Sequence, residues 1–362
     1  MFGGFLGSLY SFLQFISAPI IGKSSDIYGR RFVLLVSMIG NAISMLLWIF
    51  ADSFEIFLVS RIVGGLTEGN VQMSIAMISD ISDSTNRSKT LALVGICFAV
   101  GFTLGPPLGA YMTNINLKEY FPTLPINSYS SPALFAFILI IIETIYLLVA
   151  LPETLNFKKE TNEKSNRLDS NTNPQSLTHL SIIHFLFLFV FSGMEFTLTF
   201  LTYDRFQFSN TEQGKLLAFF GILTAIVQGG YVRRVSGKES LIAFQGILSC
   251  GIGLLIIGLL AKTELIYLYL GSAFMAFTSG TVVTSLTSLV SLADHQKQGE
   301  TLGYFRSAGQ LGRCLGPMVA CSGYWVLGST QLYTVSGIWM VVLAGISWLI
   351  VPSKFVKGFK QD

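Results

Sequence analysis

Residues 19–36 read PIIGKSSDIYGRRFVLLV, two apolar runs interrupted by a knot that carries Lys23, Asp26, Arg30 and Arg31. The whole chain decides what that knot is. Of its 362 residues, 51% are hydrophobic and only 12% are charged, with a mean hydropathy of +0.62. Soluble domains carry about 25% charged residues. A deficit this large describes a surface that meets lipid, so the knot is a loop between two membrane helices. A net charge of +3 is too small for a nucleic-acid partner. Cys97, Cys250, Cys314 and Cys321 lie inside apolar runs at no metal-binding or redox spacing, and read as small buried hydrophobes. His179, His184 and His295 are scattered, which argues against a metal site or a histidine-based hydrolase.

A membrane helix needs about 20 mostly apolar residues. Cutting the chain at its polar breaks predicts an all-α membrane protein with eleven spans, near 2–21, 32–51, 55–78, 90–113, 132–151, 180–201, 213–231, 240–260, 264–290, 301–327 and 331–351. Alternate loops hold 16 basic residues, among them Lys23, Arg30, Arg31, Arg87, Arg233, Arg234 and Lys238; the opposite set holds Lys118, Arg205, Lys215 and Lys262. The positive-inside rule makes the first set cytoplasmic. The C-terminus is then inside and, with an odd span count, the N-terminus outside.

The longest polar stretch between spans, 153–178, is rich in Asn, Lys, Glu and Ser and reads as a cytoplasmic linker. It separates an N-terminal bundle, 1–152, from a six-helix bundle with a short tail, 179–362. The halves echo one another. Gly101-x-x-x-Gly105-Pro106, continued by Gly109, matches Gly312-x-x-x-Gly316-Pro317, and each motif precedes one last span of its half. Such glycine runs suit close helix packing or a hinge. A weaker echo pairs residues 22–31 with 229–238, GGYVRRVSGK.

The spacing Gly22-x-x-x-Asp26-x-x-Gly29-Arg30-Arg31 predicts a tight reversal, with glycines permitting the turn. Asp26 is placed to meet the positive N-terminal end of the tenth span. Arg30 or Arg31 is placed to pair with Asp80 or Asp83 near the end of the third. Together they read as a latch on the cytoplasmic side.

These residues resemble the signature loop of the major facilitator superfamily. LVSRIVGGLTEGN resembles its fourth-helix Arg-x-x-x-Gly motif, at Arg61 and Gly65. GFTLGPPLGAYM resembles its antiporter-associated Gly-Pro motif, although Ala92 stands where that run has an earlier glycine. LPETL, residues 151–155, resembles the usual close of its sixth helix. The nearer likeness is to the tetracycline-transporter-like branch. The resemblance implies a fold of two helical bundles and export or exchange of small organic anions. It also implies that the eleven spans correspond to helices two to twelve, the first family helix being missing. That absence keeps a second reading open, a truncated and non-transporting membrane protein.

Six charges fall within spans: Arg61, Glu68, Glu143, Glu195, Arg306 and Arg313. Each costs roughly 2.5–3.5 kcal/mol at a helix centre on insertion scales. Such residues normally face a cavity and pair. Arg61 and Glu68, seven apart, share a helix face, with Gln72 one turn further on. Glu68, Glu143, Glu195 and Arg313 lie near mid-membrane, where carriers bind their solutes. Arg313, with Arg306, is the candidate anion contact, and Glu68 or Glu195 the candidate proton carrier. No Gly-x-x-x-x-Gly-Lys-Ser/Thr motif is present, and no cofactor, nucleic-acid or obligate protein partner is expected.

Overall fold

A computed structural model describes residues 2–82, 86–115, 117–127, 130–155, 174–235, 237–293 and 298–351. Asp83, Lys297, the C-terminal tail and most of the expected linker lie outside the described residues. Among those residues every regular element is helical. The elements are α1 (Phe2–Tyr28), α2 (Arg30–Ile49), α3 (Phe54–Thr67), α4 (Asn70–Ile81), α5 (Arg87–Met112), the one-turn α6 (Leu117–Tyr120) and α7 (Ser130–Ala150). They continue with α8 (Pro174–Phe206), α9 (Asn210–Ile226) running into a π-helical turn (Val227–Val232), α10 (Glu239–Leu259), α11 (Leu265–Ala293), α12 (Gln298–Leu327) and α13 (Ser329–Ile350).

Local sequence explains the joints. Gly29, at φ 98°, and Gly328, at φ 80°, take left-handed turns that separate α1 from α2 and α12 from α13. Ser53 caps α3 by accepting from the Ile56 N–H at 3.4 Å. Ser209 and Glu212 form a capping box at the start of α9, in which the Ser209 N–H donates to Glu212 Oε2 at 2.7 Å.

Among the described residues, seven helical stretches are long and apolar enough to cross a membrane: Arg30–Ile49, Ser130–Ala150, Leu177–Phe206, Thr211–Val232, Glu239–Leu259, Leu265–Leu292 and Ser329–Ile350. Of the four other expected spans, 90–113 corresponds to the helix α5, and the remaining three differ for physical reasons. The third, 55–78, is not one helix: it breaks at Glu68 (φ −70°, ψ 87°) and Gly69, leaving α3 and α4. The first is longer than its apolar run, because α1 continues through Lys23 and Asp26 to Tyr28. The reversal is therefore made at Gly29 alone, and Gly22 is a buried position within a helix. α12 carries Glu300, Arg306, Arg313 and several glycines, which lower its mean hydropathy.

The chain divides into two compact units, one comprising Met1–Ile81, Leu104–Asp169 and Lys297–Ser307, the other Ser82–Thr103, Ser170–Gln296 and Ala308–Asp362. In the first, α2 packs against α3 and α7, and α1 against α3. Val33, Leu34, Met38, Met73 and Met77 form its main apolar cluster. In the second, α10 is the central helix, packed on α11 and α13. Small residues permit that closeness: a Cβ on Gly253 would stand 2.7 Å from the Gly271 carbonyl, and one on Gly251 would stand 3.0 Å from that of Gly337. Cys250 and Cys314 are buried, but Cys97 is exposed and Cys321 half-exposed. The uniform burial expected of the cysteines fails because these two lie on helix faces turned away from the packing.

Candidate functional site

The charged knot is a largely buried cluster in the first unit. Arg30 is fully buried, as is the side chain of Asp80, while that of Asp26 is 17% exposed. Arg30 Nε donates to Asp80 Oδ2 at 2.9 Å, Nη1 donates to Ser25 Oγ at 2.5 Å, and Nη2 lies 2.7 Å from Asp26 Oδ1. The guanidinium fork thus spends its edges on three acceptors, which offsets the cost of burying it. Asp26 does a second thing. Its two carboxylate oxygens accept the Gly299 and Glu300 N–H groups at 3.1 and 2.7 Å. Those amides belong to the first turn of α12, which has no intrahelical acceptor for them. A carboxylate there also meets the positive end of the helix dipole.

Arg31 does not join this cluster. Its guanidinium donates to the Leu148 carbonyl near the end of α7. Glu153, from the LPETL segment at the start of the expected linker, organises the knot. Its Oε1 accepts from the Arg30 and Leu155 N–H groups, both at 3.0 Å, and its Oε2 accepts from the Arg31 N–H at 3.0 Å. A Cβ on Gly29 would stand 2.6 Å from Oε2, so the glycine serves both its left-handed turn and this approach. Gly22 likewise lies where a Cβ would meet the Gln72 amide at 2.7 Å. Gln72 itself is buried and donates to the Ala18 carbonyl at 3.0 Å, tying α4 to α1.

The helix break interrupts the face that Arg61 and Glu68 were expected to share. Glu68 accepts from Tyr10 Oη at 3.2 Å and Asn41 Nδ2 at 3.3 Å. Arg61 turns instead to aromatic faces, with its guanidinium carbon 4.0 Å from the Trp48 ring centre, 5.4 Å from Phe57 and 5.7 Å from Tyr10. The shared helix face ends at Thr67, where α3 stops. Glu143 is exposed on α7, within electrostatic reach of Glu68. Arg306 is half-buried and partnered.

In the second unit, Glu195 on α8 lies within electrostatic reach of Arg313 on α12, and Arg313 is exposed. Two residues of this unit that the sequence reading counted only as loop charges also bind helix ends. Arg205 donates to the Ile257 and Ala261 carbonyls at 3.0 and 2.7 Å, and to Ser329 Oγ and Thr330 Oγ1 at 3.0 and 2.9 Å. Arg87 Nη1 donates to the Ser291 carbonyl at 2.7 Å. Both satisfy carbonyls that a helix C-terminus leaves open.

The two glycine motifs part company. Gly312 and Gly316 are buried against α8, where a Cβ would meet the Phe185 carbonyl at 2.7 Å and Ser192 Oγ at 2.7 Å respectively; Pro317 follows inside α12. Around Gly101, Gly105 and Gly109 nothing described lies within 4 Å of where a Cβ would stand. The Pro106 side chain lies outside what is described.

The sequence profile of the Major Facilitator Superfamily matches residues 2–317. Major facilitator superfamily domain-containing protein 10 of Mus musculus is 37% identical over 361 residues, covering 92% of this chain and 75% of the relative. The Homo sapiens protein is 34% identical over 385 residues, covering 99% and 81%. The class E tetracycline resistance protein of Escherichia coli is 25% identical over 326 residues, covering 87% and 76%. The crystal structure of human MFSD10 (TETRAN), described there as an organic anion transporter, superposes with a TM-score of 0.83 at 33% identity, over 97% of this chain and 84% of that one. The proton:xylose symporter XylE shares the fold, with a TM-score of 0.76 at 15% identity over 99% and 89%. These relatives are transporters rather than enzymes, which disfavours the non-transporting alternative.

Proposed function

Since this chain belongs to the Major Facilitator Superfamily, we propose that it is a secondary carrier moving small organic anions across a membrane by alternating access. The observation that carries the mechanism is the Asp26–Arg30–Asp80 cluster seated on the first turn of α12. A carboxylate on orphan helix amides is a contact that one conformation makes and another gives up. Its strength, two charge-assisted hydrogen bonds, suits a latch that must open during turnover. The bundles 1–152 and 179–362 rock about a central site, with residues 22–31, 233–238 and 153–178 on the cytoplasmic side and the N-terminus opposite.

The substrate class rests on the likeness to the human organic anion transporter. It is supported by Arg313, an exposed guanidinium on a membrane helix, which is hard to maintain in lipid without an anionic partner. Glu195 beside it is the proton carrier in this reading, with Glu68, held by Tyr10 and Asn41 at the break between α3 and α4, as its counterpart in the first unit.

The test is flux of a radiolabelled aryl carboxylate into proteoliposomes. Wild type accumulates it, Arg313→Ala does not, and Glu195→Gln moves it without response to a pH gradient. Equal flux in wild type, Arg313→Ala and protein-free vesicles refutes the reading.

A further inference from the structure

The π-helical turn Val227–Val232 is not used by the carrier mechanism, nor is the basic stretch that follows it. The turn borders a groove of about 490 Å³ in the second unit, between itself, α10 and α11, and the basic stretch continues the chain from the turn to the start of α10. Tyr231, Gln245, Leu248, Ile252, Phe274 and Phe277 line it. The groove is graded. Tyr231 Oη donates to Gln245 Oε1 at 2.5 Å at one end, and the Tyr231 and Phe277 rings lie 5.5 Å apart. Towards Ile252 the walls are apolar, since Ser249 spends its hydroxyl on the Phe274 carbonyl at 2.9 Å. A π-turn carries one more residue than an α-turn and marks functional positions often. Here it carries Tyr231 to Gln245 and sends the next two residues outward.

Those residues are Arg233 and Arg234, both exposed, and Lys238 is exposed with them. Arg233 and Arg234 follow the groove's polar end in the chain, and Lys238 precedes α10. Glu239, the acid of this stretch, is buried and accepts the Gly237 N–H at 3.0 Å, so its charge faces the protein. Buried Val232 and Ile242 pin the stretch to the helices. Gln245 lies about 9 Å and Ile252 about 20 Å along α10 from its first residue, at 1.5 Å per residue. A bilayer's hydrocarbon core is about 30 Å thick inside about 40–45 Å overall. With the basic residues among the headgroups, the apolar part of the groove is at acyl-chain depth.

We propose that this groove is a binding site for one anionic phospholipid, its phosphate held by Arg233, Arg234 and Lys238 and an acyl chain laid along Leu248, Ile252 and Phe274. Charge complementarity selects the occupant: a zwitterionic lipid fits the apolar part equally but gains little from the three exposed basic residues next to it in the chain. The site is on the side that the proposed topology makes cytoplasmic, where anionic lipid is concentrated. The binding test below needs neither that topology nor transport, so its failure and that of the carrier reading are separable.

The full chain, purified in detergent, is titrated with phosphatidylserine or phosphatidylcholine and read by native mass spectrometry. One phosphatidylserine binds with at least about tenfold preference. The triple variant Arg233→Gln, Arg234→Gln, Lys238→Gln weakens it on the order of 100-fold and abolishes the preference. Ile252→Trp, which fills the groove and leaves the charges, weakens both lipids. Equal binding of the two lipids by wild type overturns the proposal. So does phosphatidylserine binding unchanged in the triple variant, or displacement by equimolar inorganic phosphate, which would make this a phosphate site. The three charge positions are exposed, so that variant remains informative if Ile252→Trp fails to fold.

Discussion

Replacing Asp26 by Asn isolates the contact on which the proposed latch depends. The amide is the same size but keeps one acceptor oxygen, so only one of the Gly299 and Glu300 N–H groups retains a partner. The other faces an amide NH₂, and Arg30 keeps Asp80 and Ser25. A hydrogen bond to a charged group is worth about 1.5–3 kcal/mol, and the lost charge at the helix terminus about 0.3–1 kcal/mol more. Asp26 is partly solvated, which favours the lower half of that sum, about 2–3 kcal/mol. At 1.36 kcal/mol per decade this is roughly 30- to 150-fold in the opening equilibrium of the first turn of α12. Hydrogen exchange read by mass spectrometry on a peptide covering residues 298–305 measures it directly. Gly299 and Glu300 should exchange faster by that factor in Asp26→Asn. Arg31→Gln serves as the control, because its side chain reaches only the Leu148 carbonyl and should leave those amides unchanged. Exchange within twofold of wild type in Asp26→Asn would show that the carboxylate does not hold this terminus, and the latch would lose its basis.

Glu153→Gln leaves one of the Arg30 and Arg31 amides without an acceptor and should lower transport rate and thermal stability together, by about 1–3 kcal/mol in a denaturation midpoint series; an unchanged midpoint would make Glu153 a bystander. Gly316→Ala should destabilise by about 1–3 kcal/mol, since its Cβ runs into the α8 backbone at Phe189, whereas Gly105→Ala, with open space around it, should be neutral or slightly stabilising. The ordering of those two melting temperatures is the measurement. Arg205→Gln gives up most of four hydrogen bonds at the ends of α10 and α13 and should lower the melting temperature by several degrees without altering lipid selectivity at the groove beside Tyr231.

Much of the site was legible because membrane insertion makes every charge conspicuous. Asp26, Arg30 and Asp80 stood out against an apolar background before any coordinates. What periodicity could not reveal was the interruption at Glu68. Seven-residue spacing places Arg61 and Glu68 together only if the helix is continuous, and Gly69 followed by Asn70, a glycine and then a capping-type residue, was the available sign that it is not. The choice between Arg30 and Arg31 was equally open. Adjacent helical residues point about 100° apart, and the Glu153 contacts that orient both backbones come from 122 and 123 positions away.

The amino-acid sequence alone determined that this chain is a helical membrane protein of the major facilitator type. Lipid penalises polar surface so heavily that composition, span length and loop charge leave few alternatives. Only the tertiary structure decided which side chains meet. The repeated Gly-x-x-x-Gly-Pro motif makes the point: its two copies are alike in sequence, yet Gly312 and Gly316 press on a neighbouring backbone while Gly101, Gly105 and Gly109 have no neighbour within 4 Å of a Cβ position among the described residues. Hydropathy is a property of each residue by itself, whereas a contact depends on what a distant segment brings to it.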